Sequence, residues 1–503
     1  MAWSEAFVAA LSRGRGSLTY LLEASPQWEE LGVAVAYSTH RVPGALPRIS
    51  VGAVQVRGAG VDPRTMASTI GAWSCVYTGD LSELARHIVP GVVCLLRASL
   101  DGSTPSDIIA VGQLRQATGT KVGIRLDFFD LAGVMRSRLC RELDADLFSE
   151  LGSSALGASY TPGDSTLTFA GAVDCRRQAG IPGAVYVVPG TGDPFYLTWA
   201  AYSSGSLTGV SSAGVYGTTA VAAASSSRVD EVARIVGHPC DIVRRVVCSR
   251  EGDTSNGAFD SLPRAWAIGL SHALVDHADV SQVRDRVMSP ASGSLEWDVV
   301  VTERISDGWS WMTALLARGG AALTVRQGLL TVRAVQASRA PRLLCELSIR
   351  DADVAEILDY EAWDASHAPE YAAVSVAGPD TTVLAYNLPG TLPKASLSEW
   401  SLDGLVTTNG SACQQELLER VQEAQQRRPE RLRLRLAGLH FARLAPLDVV
   451  PLTLTSRGAQ SRRGGWNGWV AEEALVTRVD PAWSGGYVDV ELRVYPPSEE
   501  AYQ

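Results

Sequence analysis

The residue pair best suited to bind a metal ion is His272 and His277, in the stretch HALVDHADV. Imidazole nitrogens are common ligands of transition metals, and Asp276 and Asp279 would add carboxylate oxygens nearby. A spacing of five residues, however, places the two histidines off the shared face that an i, i+4 pair has on a helix. A polar loop between helices is the ordinary alternative, so we predict no metal-binding residue.

A second candidate is the acidic pair Asp127 and Asp130, which ends the segment KVGIRLDFFD. Two carboxylates at this spacing are suited to catalysis or to cation binding. At the end of a strand, a turn or a solvated edge explains such a pair more often. The sequence has no HExxH, P-loop, complete GxGxxG or GxSxG motif, and its 54 acidic residues single out no glycosidase pair. We therefore predict that the protein is not an enzyme and has no catalytic or cofactor-binding residue.

Two further sets of residues suggest binding. The basic run RRPERLRLRL (427–436) carries five arginines that could contact DNA or another acidic surface. A solvated or subunit-facing edge is the favoured interpretation, because a net charge of −10 argues against a general nucleic-acid binder. The 13 tryptophans are spread from Trp3 to Trp483, which favours core anchors over a carbohydrate-binding face.

The eight cysteines are scattered without a CxxC pair, which predicts free thiols in a protein assembled in a reducing bacterial cytoplasm. We expect no secretion signal, because Glu5 lies where a basic segment belongs. No apolar run approaches the length of about 20 residues that a membrane-spanning helix needs. The sequence thus predicts no integral membrane segment.

The elements that position these residues are mainly short strands bounded by Gly, Pro, Ser and Asp, with α insertions, and they predict an α+β fold dominated by β structure. A chain of 503 residues is too long for one core. We predict an N-terminal β-barrel or sandwich domain (1–145), a small antiparallel β module (146–225), a helical linker segment (226–290), a mixed domain of helix and β-hairpin (291–430) and a C-terminal β domain (431–503).

Local patterns predict individual elements within this outline. A hairpin is expected around Gln327-Gly328, a two-residue turn between alternating segments. Helices are predicted from capping residues and apolar spacing at 4–14, at 81–88 behind Asp80, at 230–236, after Pro239, at 310–317 with Trp311 packed inward, and after Ser411, which forms a capping box with Gln414.

Three stretches carry a resemblance to a known family. Residues 160–224 combine YTPGDSTL, GAVYVV, FYLTW and LTGVSSAGVYGTTA. The run HPCDIVRRVVCSREGDTSNGAFDSLPRAWAIGLSHALVDHADV (238–280) also fixes residue identities at turns, and 310–335 reads as helix, Gly-Gly, strand, xG and strand. In these features the chain resembles the tail hub, or baseplate, proteins found at the tail tip of tailed bacteriophages and phage-derived particles.

The resemblance implies several small β-barrel or sandwich domains and a structural role in the virion. A protein of this family is expected to form a homotrimer between the tail tube, distal tail and tape measure proteins and the central fibre or receptor-binding proteins. It would take part in host attachment and gate DNA exit, without specific nucleic-acid binding. The alternative is a virion-associated tail appendage protein that binds or cleaves glycans. A secreted adhesin fits less well, because no signal is seen and the cysteines are unpaired.

Overall fold

The computed structural model describes residues 3–13, 18–25, 33, 35–50, 52–63, 65–69, 71–100, 107–136, 155–171, 183–203, 205–211, 213–215, 218–248, 267–288, 296–301, 305–336, 344–362, 371–377, 382–386, 396–401, 406–408, 415, 417–418, 429–455, 461 and 467–495.

The first elements along the chain form the N-terminal part of the fold. They are α1 (Glu5–Arg13), β1 (Leu18–Ser25), β2 (Val35–Ser38), β3 (Leu46–Pro47), β4 (Gln55–Val56), β5 (Gly60–Val61), β6 (Ser68–Thr69), β7 (Ala72–Tyr77), α2 (Leu81–Leu84), β8 (Val93–Leu100), β9 (Asp107–Thr120), β10 (Gly123–Asp130) and α3 (Leu131–Met135). Asp80 caps α2 as predicted, but this helix ends at Leu84 and a turn follows.

Eight of these strands pair in the order β3-β2-β1-β8-β9-β10-β7-β4, antiparallel except for β2 with β3. The segment after β3 closes this sheet into a barrel. The Ile49 amide donates to the Ser38 carbonyl of β2 at 2.9 Å, and the Ser50 amide donates to the Val76 carbonyl of β7 at 2.8 Å. Closure leaves an apolar interior, in which Trp73 stacks on Phe128 with ring centroids 3.7 Å apart.

The middle of the chain adds a small β layer and most of the helices. Its elements are β11 (Thr166–Thr168), β12 (Gly183–Val188), β13 (Phe195–Trp199), β14 (Ala201–Ser203), β15 (Ser206–Thr208), β16 (Arg228–Gly237), α4 (Pro239–Cys248), α5 (His277–Val283), β17 (Glu296–Val301), α6 (Gly308–Arg318), β18 (Ala321–Arg326) and β19 (Leu329–Ala334). A 3-10 turn, His272–Leu274, precedes α5. Strands β11-β15-β14 and the pair β12-β13 pack around one small core, which also includes Val229 of β16.

The helix predicted at 230–236 is wrong, because these residues lie in strand β16. Val229, Val232 and Ile235 are buried at a three-residue spacing, which imitates the apolar face of a helix. The strand pairs with β12 along its first half and with β17 along its second, so neighbours on both sides override the local pattern. Its β-branched residues also suit an extended backbone.

Helix α6 begins earlier than predicted, behind Asp307, whose carboxylate accepts a hydrogen bond from the Ser310 amide at 3.0 Å. The tryptophan fully packed inward is therefore Trp309, which is 4% exposed, while Trp311 is only partly buried. The helix ends at Gly319, as the Gly-Gly pair predicted.

The C-terminal elements are β20 (Ile349–Arg350), β21 (Val354–Glu361), β22 (Tyr371–Ala377), β23 (Thr382–Tyr386), β24 (Ser396–Ser401), β25 (Val406–Thr408), β26 (Glu430–Ala437), β27 (Val449–Leu454), β28 (Trp469–Ala482) and β29 (Tyr487–Val494). Six of them follow the order β20-β27-β28-β29-β26-β21. Only a 3-10 turn, Asp351–Asp353, separates β20 from β21, so the two ends of this sheet are joined and it closes into a second barrel.

The two barrels share one apolar core. Strand β5 leaves the first barrel and pairs with β28 of the second, with Gly60 opposite Arg478. Trp3, which lies just before α1, also joins the barrels. It donates its indole N–H to the Ile108 carbonyl at 2.7 Å and lies edge-on against Trp483, with ring centroids 5.7 Å apart.

The fold class predicted from the sequence, mainly β with α insertions, is thus confirmed. Among the described residues, no helix is long and apolar enough to cross a membrane. Residues 137–154 and 249–266, the capping box at Ser411 and Gln414, and residues 496–503 lie outside the described residues. Leu417 and Leu418, from the helix predicted there, are helical and buried.

Candidate functional site

Strands β9 and β10 form a hairpin in which β9 extends past its other neighbour, β8, while β10 stays paired with β7 from Ile124 to Phe129. Strand β10 is paired with β9 from Gly123 to Asp130. The neighbouring strand β8 accompanies β9 only as far as Gln113, which lies opposite Val93. We call residues 114–124 the arm. In the structure as described, the outer edge of β9 has no strand beside it along the arm.

The residues of the arm are accessible on both faces. All of 115–122 are exposed, and Val122 at the turn is 69% exposed. A strand edge of this length presents unpaired backbone N–H and C=O groups, which can pair with a strand of another chain. The geometry therefore favours a contact between this arm and another polypeptide.

The arm differs from the rest of the chain in charge. Arg115 and Lys121 are its charged residues before the turn, and no acidic residue lies between 114 and 124, whereas the whole chain has a net charge of −10. At the base of the arm the Arg115 guanidinium lies over the Phe129 ring, 5.3 Å from its centroid. A basic projection on an acidic protein is suited to contact an acidic surface, such as that of another copy.

A second hairpin, β18–β19, is as deeply buried as the arm is exposed. Gln327 and Gly328 both have positive φ, 52° and 75°, as a type I′ turn requires. The turn packs against β9: a Cβ added to Gly328 would lie 2.9 Å from Ile108. The Gln327 side-chain oxygen accepts a hydrogen bond from the Trp3 amide at 3.0 Å. The predicted hairpin is thus confirmed. It packs between the two barrels.

Asp279 anchors this buried hairpin to helix α5. Its carboxylate lies 3.1 Å from the Arg326 guanidinium and 3.0 Å from that of Arg333, one on each strand of the hairpin. Thr331 donates its hydroxyl to the same carboxylate at 2.5 Å. Arg333 also reaches Asp448 in the second barrel at 3.3 Å. This network is a structural connection between the helices and the second barrel.

The acidic pair predicted at the end of β10 is separated by the structure. Asp130 is buried and caps α3, accepting hydrogen bonds from the amides of Ala132 at 3.0 Å and Gly133 at 3.3 Å. Burial raises the pKa of Asp130 to about 7, and the two capping hydrogen bonds oppose this shift only in part. Asp127 instead pairs with Arg125 on the outer face at 2.9 Å. The turn-forming interpretation of this pair is confirmed.

The structure brings His272 and His277 together but leaves Asp276 and Asp279 out of the group. His272 Nδ1 and His277 Nε2 are 3.1 Å apart, and the two rings are stacked. Asp276 caps α5, accepting from the Asp279 amide at 3.2 Å, while Asp279 faces the hairpin. The third member of the cluster is Cys248, which the sequence did not indicate because it lies 24 residues before His272.

The arginines of β26 are neutralised by neighbouring strands. Arg431 lies 2.9 Å from Glu361 of β21, and Arg435 lies 2.8 Å from Asp489 of β29. The Arg435 guanidinium also stacks over the Tyr487 ring at 4.3 Å. Apolar and polar residues alternate along β26. These arginines therefore lie on the polar face of a barrel strand, where carboxylates of adjacent strands pair with them. Arg427 and Arg428 lie outside the described residues.

The described tryptophans act as core anchors, as predicted. Those that are buried are Trp3, Trp73, Trp199, Trp297, Trp309, Trp469 and Trp483. Because their rings face apolar cores, these residues form no carbohydrate-binding face. The described cysteines, at positions 75, 94, 240, 248 and 345, form no disulfide.

Comparison with solved structures finds similarity to phage-type tail proteins over nearly the whole chain. A tail protein of Neisseria meningitidis is 12% identical, with a TM-score of 0.38, 90% of this chain covered and 99% of the other. A prophage tail protein of Shewanella oneidensis is 10% identical, with a TM-score of 0.37 and coverages of 95% and 98%. A prophage tail protein of Listeria monocytogenes is 7% identical, with a TM-score of 0.39 and coverages of 95% and 94%.

The similarity to tail proteins indicated by sequence motifs is thus found among solved structures as well. No protein-family model and no curated protein matches the chain.

Proposed function

We propose that the protein is a structural, non-catalytic component of a phage-type tail, and specifically a hub or baseplate protein at the tail tip. In this role it joins the tail tube, distal tail and tape measure proteins to the central fibre or receptor-binding proteins. It takes part in host attachment and gates DNA ejection. The protein is assembled in the host cytoplasm and becomes part of the virion, as a homotrimer.

The observation that carries this proposal is the arm. A monomeric protein normally protects an extended strand edge by shortening, covering or bending it. Here the end of β9, within the exposed residues 115–122, runs past the limit of β8, and its outer edge has no strand beside it among the described residues. An edge of this kind pairs readily with a second chain, as assembly into a ring requires. The motifs of 160–224 and 238–280, which resemble those of tail hub proteins, indicate which kind of assembly it is.

Antibody labelling of intact particles, viewed by electron microscopy, tests the location. Label confined to the end of the tail opposite the head is expected, and the number of labels per tip reports the copy number. Absence of label from both intact and disrupted particles would show that the protein is not part of the virion.

Charge reversal on the arm tests the proposed contact. A variant with Arg115→Glu, Thr118→Glu and Lys121→Glu should keep the wild-type melting temperature, because these side chains are exposed. Its incorporation into particles should fall about tenfold or more, since like charges across an interface cost several kcal/mol. The matched control is Arg86→Glu, an exposed arginine elsewhere on the first barrel, which should be incorporated normally. Normal incorporation of the arm variant would rule out the arm as an assembly contact.

A further inference from the structure

Cys248, His272 and His277 form a compact group of metal-binding atoms. One ligand atom from each residue lies within 4.8 Å of the other two. Cys248 is fully buried, while the histidines are partly buried. A tetrahedral zinc ion is about 2.0–2.3 Å from its nitrogen and sulfur ligands, so its ligands lie within about 4 Å of one another. The group therefore needs only small side-chain adjustments to surround one ion.

The backbone holds the three residues in place independently of any ligand. Cys248 ends α4, where the last carbonyls of a helix lack partners within the helix. The returning chain supplies them: the Ile268 amide donates to the Val246 carbonyl and the Leu270 amide to the Val247 carbonyl, both at 2.8 Å. This pairing brings His272 to the end of α4.

His277 is fixed by the buried hairpin and by α4. The Asp276 amide donates to the Leu330 carbonyl of β19 at 2.8 Å, and His277 is the first residue of α5. The Arg244 side chain, 3% exposed, forms an ion pair with Asp241 on α4 and donates to Ser281 on α5 at 2.8 Å. Arg244 thus connects the two helices. Side chains held by such supports are preorganised ligands.

The donor set indicates the class of ion. A thiolate and two imidazoles suit zinc and its neighbours in the transition series, whereas magnesium and calcium prefer oxygen ligands. We propose that Cys248, His272 and His277 bind one zinc-class ion, with the fourth position open to water or another group. On binding, the Cys248 thiol releases its proton to solvent, and each neutral histidine binds through the lone pair of one ring nitrogen and keeps its proton on the other.

The ion would connect the end of α4 to the segment that leads into α5. These helices pack with α6 and the buried hairpin in one apolar core. Because the metal binds the folded arrangement and not the unfolded chain, it stabilises the fold. This site is independent of the proposed role in a tail, since metal binding is measured on the purified chain and incorporation is measured in particles.

Metal content and cobalt spectroscopy of the full-length protein test the proposal. Protein purified without chelator should carry about one zinc ion per chain by mass spectrometry of the metal. After removal of the metal, added Co²⁺ should give a thiolate-to-cobalt charge-transfer band together with the strong visible bands of tetrahedral coordination. Zinc should raise the melting temperature of the metal-free protein.

Variants identify the ligands. Cys248→Ser should abolish the charge-transfer band, and His272→Ala or His277→Ala should weaken zinc affinity at least about tenfold, because even an outer-shell partner is worth about that much. Cys240→Ser is the matched control, a second buried thiol on the same helix that is outside the cluster, and it should keep the band. If a variant fails to fold, wild-type zinc content and the cobalt spectrum still decide the question.

The result that would overturn the proposal is equally specific. If the two histidines only share a hydrogen bond, the wild-type protein will contain no stoichiometric metal and Co²⁺ will produce no charge-transfer band. Zinc would then leave the melting temperature unchanged.

Discussion

Two hairpins of this chain have similar sequence patterns and opposite environments. The arm belongs to the hairpin β9–β10 and is exposed along residues 115–122, while β18–β19 is buried on both faces, with Val325 and Arg326 partly buried beside the turn. They touch, because the turn at Gly328 packs on Ile108 near the start of β9. The buried hairpin gains its stability from within the chain, whereas the arm leaves backbone groups available to another chain.

The difference shows that alternation by itself does not determine burial. Polar positions of the buried hairpin, Thr331 and Arg333, are satisfied by Asp279, which comes from a helix. Polar positions of the arm face solvent instead. What distinguishes the two is therefore the set of elements that the fold places around each hairpin.

Removing the partner of the buried arginines should have the largest effect on stability. Asp279→Ala leaves Arg333, whose side chain is 7% exposed, without its nearest carboxylate. We expect the free energy of unfolding to fall by about 3–5 kcal/mol, because Arg326 and the Thr331 hydroxyl lose this buried carboxylate and Arg333 keeps only Asp448. Urea unfolding followed by tryptophan fluorescence measures this. A loss below about 1 kcal/mol would mean that water reaches the arginines.

The buried end of strand β10 gives the next largest effect and a pH dependence. Since burial raises the pKa of Asp130 to about 7, the folded protein retains a proton that the unfolded chain loses above about pH 4. The stability from this group is thus fully present below about pH 4 and is lost as the pH rises towards 7.

Asp130→Asn keeps a good helix cap without the ionisable group. This variant should be more stable than wild type at about pH 8, by at most about 4 kcal/mol, and the difference should vanish near pH 4. Asp127→Asn, on the exposed face of the same strand, is the control and should change stability by under about 0.5 kcal/mol. Unfolding free energies of Asp130→Asn that run parallel to wild type across this pH range would contradict the argument.

A matched pair of glycine substitutions compares the two hairpins most directly. Gly328→Ala introduces a Cβ at φ +75°, 2.9 Å from Ile108, and should cost about 1–3 kcal/mol. Gly119→Ala in the arm meets no atom within 4 Å and should change stability by under about 0.5 kcal/mol. Equal losses at both positions, measured by thermal unfolding, would indicate that the arm is packed within the chain.

The domain boundaries predicted at residues 145, 225, 290 and 430 remain a prediction. The apolar cores nevertheless show which parts of the chain pack together. One apolar core is shared by residues of the first barrel, helix α1 and the second barrel. Another contains α4, α5, α6 and the buried hairpin. Segments that are far apart in the sequence can therefore contribute to the same apolar core.

The sequence by itself determined the class of fold, most of the strands, the cap at Asp80, the start of α4 at Pro239 and the two-residue turn at Gln327-Gly328. These features depend on backbone preferences and on local alternation, which neighbouring residues specify. It also indicated the pairing of His272 with His277 as a weak possibility. It could not indicate Cys248, because only the return of the chain along the end of α4 brings this residue to the histidines.

Tertiary structure decided the remaining features, for one physical reason. Strand pairing and burial depend on residues far apart in sequence. The spacing of Val229, Val232 and Ile235 is typical of a helix, but pairing with two neighbouring strands makes this segment strand β16. The same holds for closure of both sheets into barrels and for the arm. The sequence of the arm is that of an ordinary polar strand. Its edge is free only because the pairing of β9 with β8 stops at Gln113, opposite Val93, the first residue of β8.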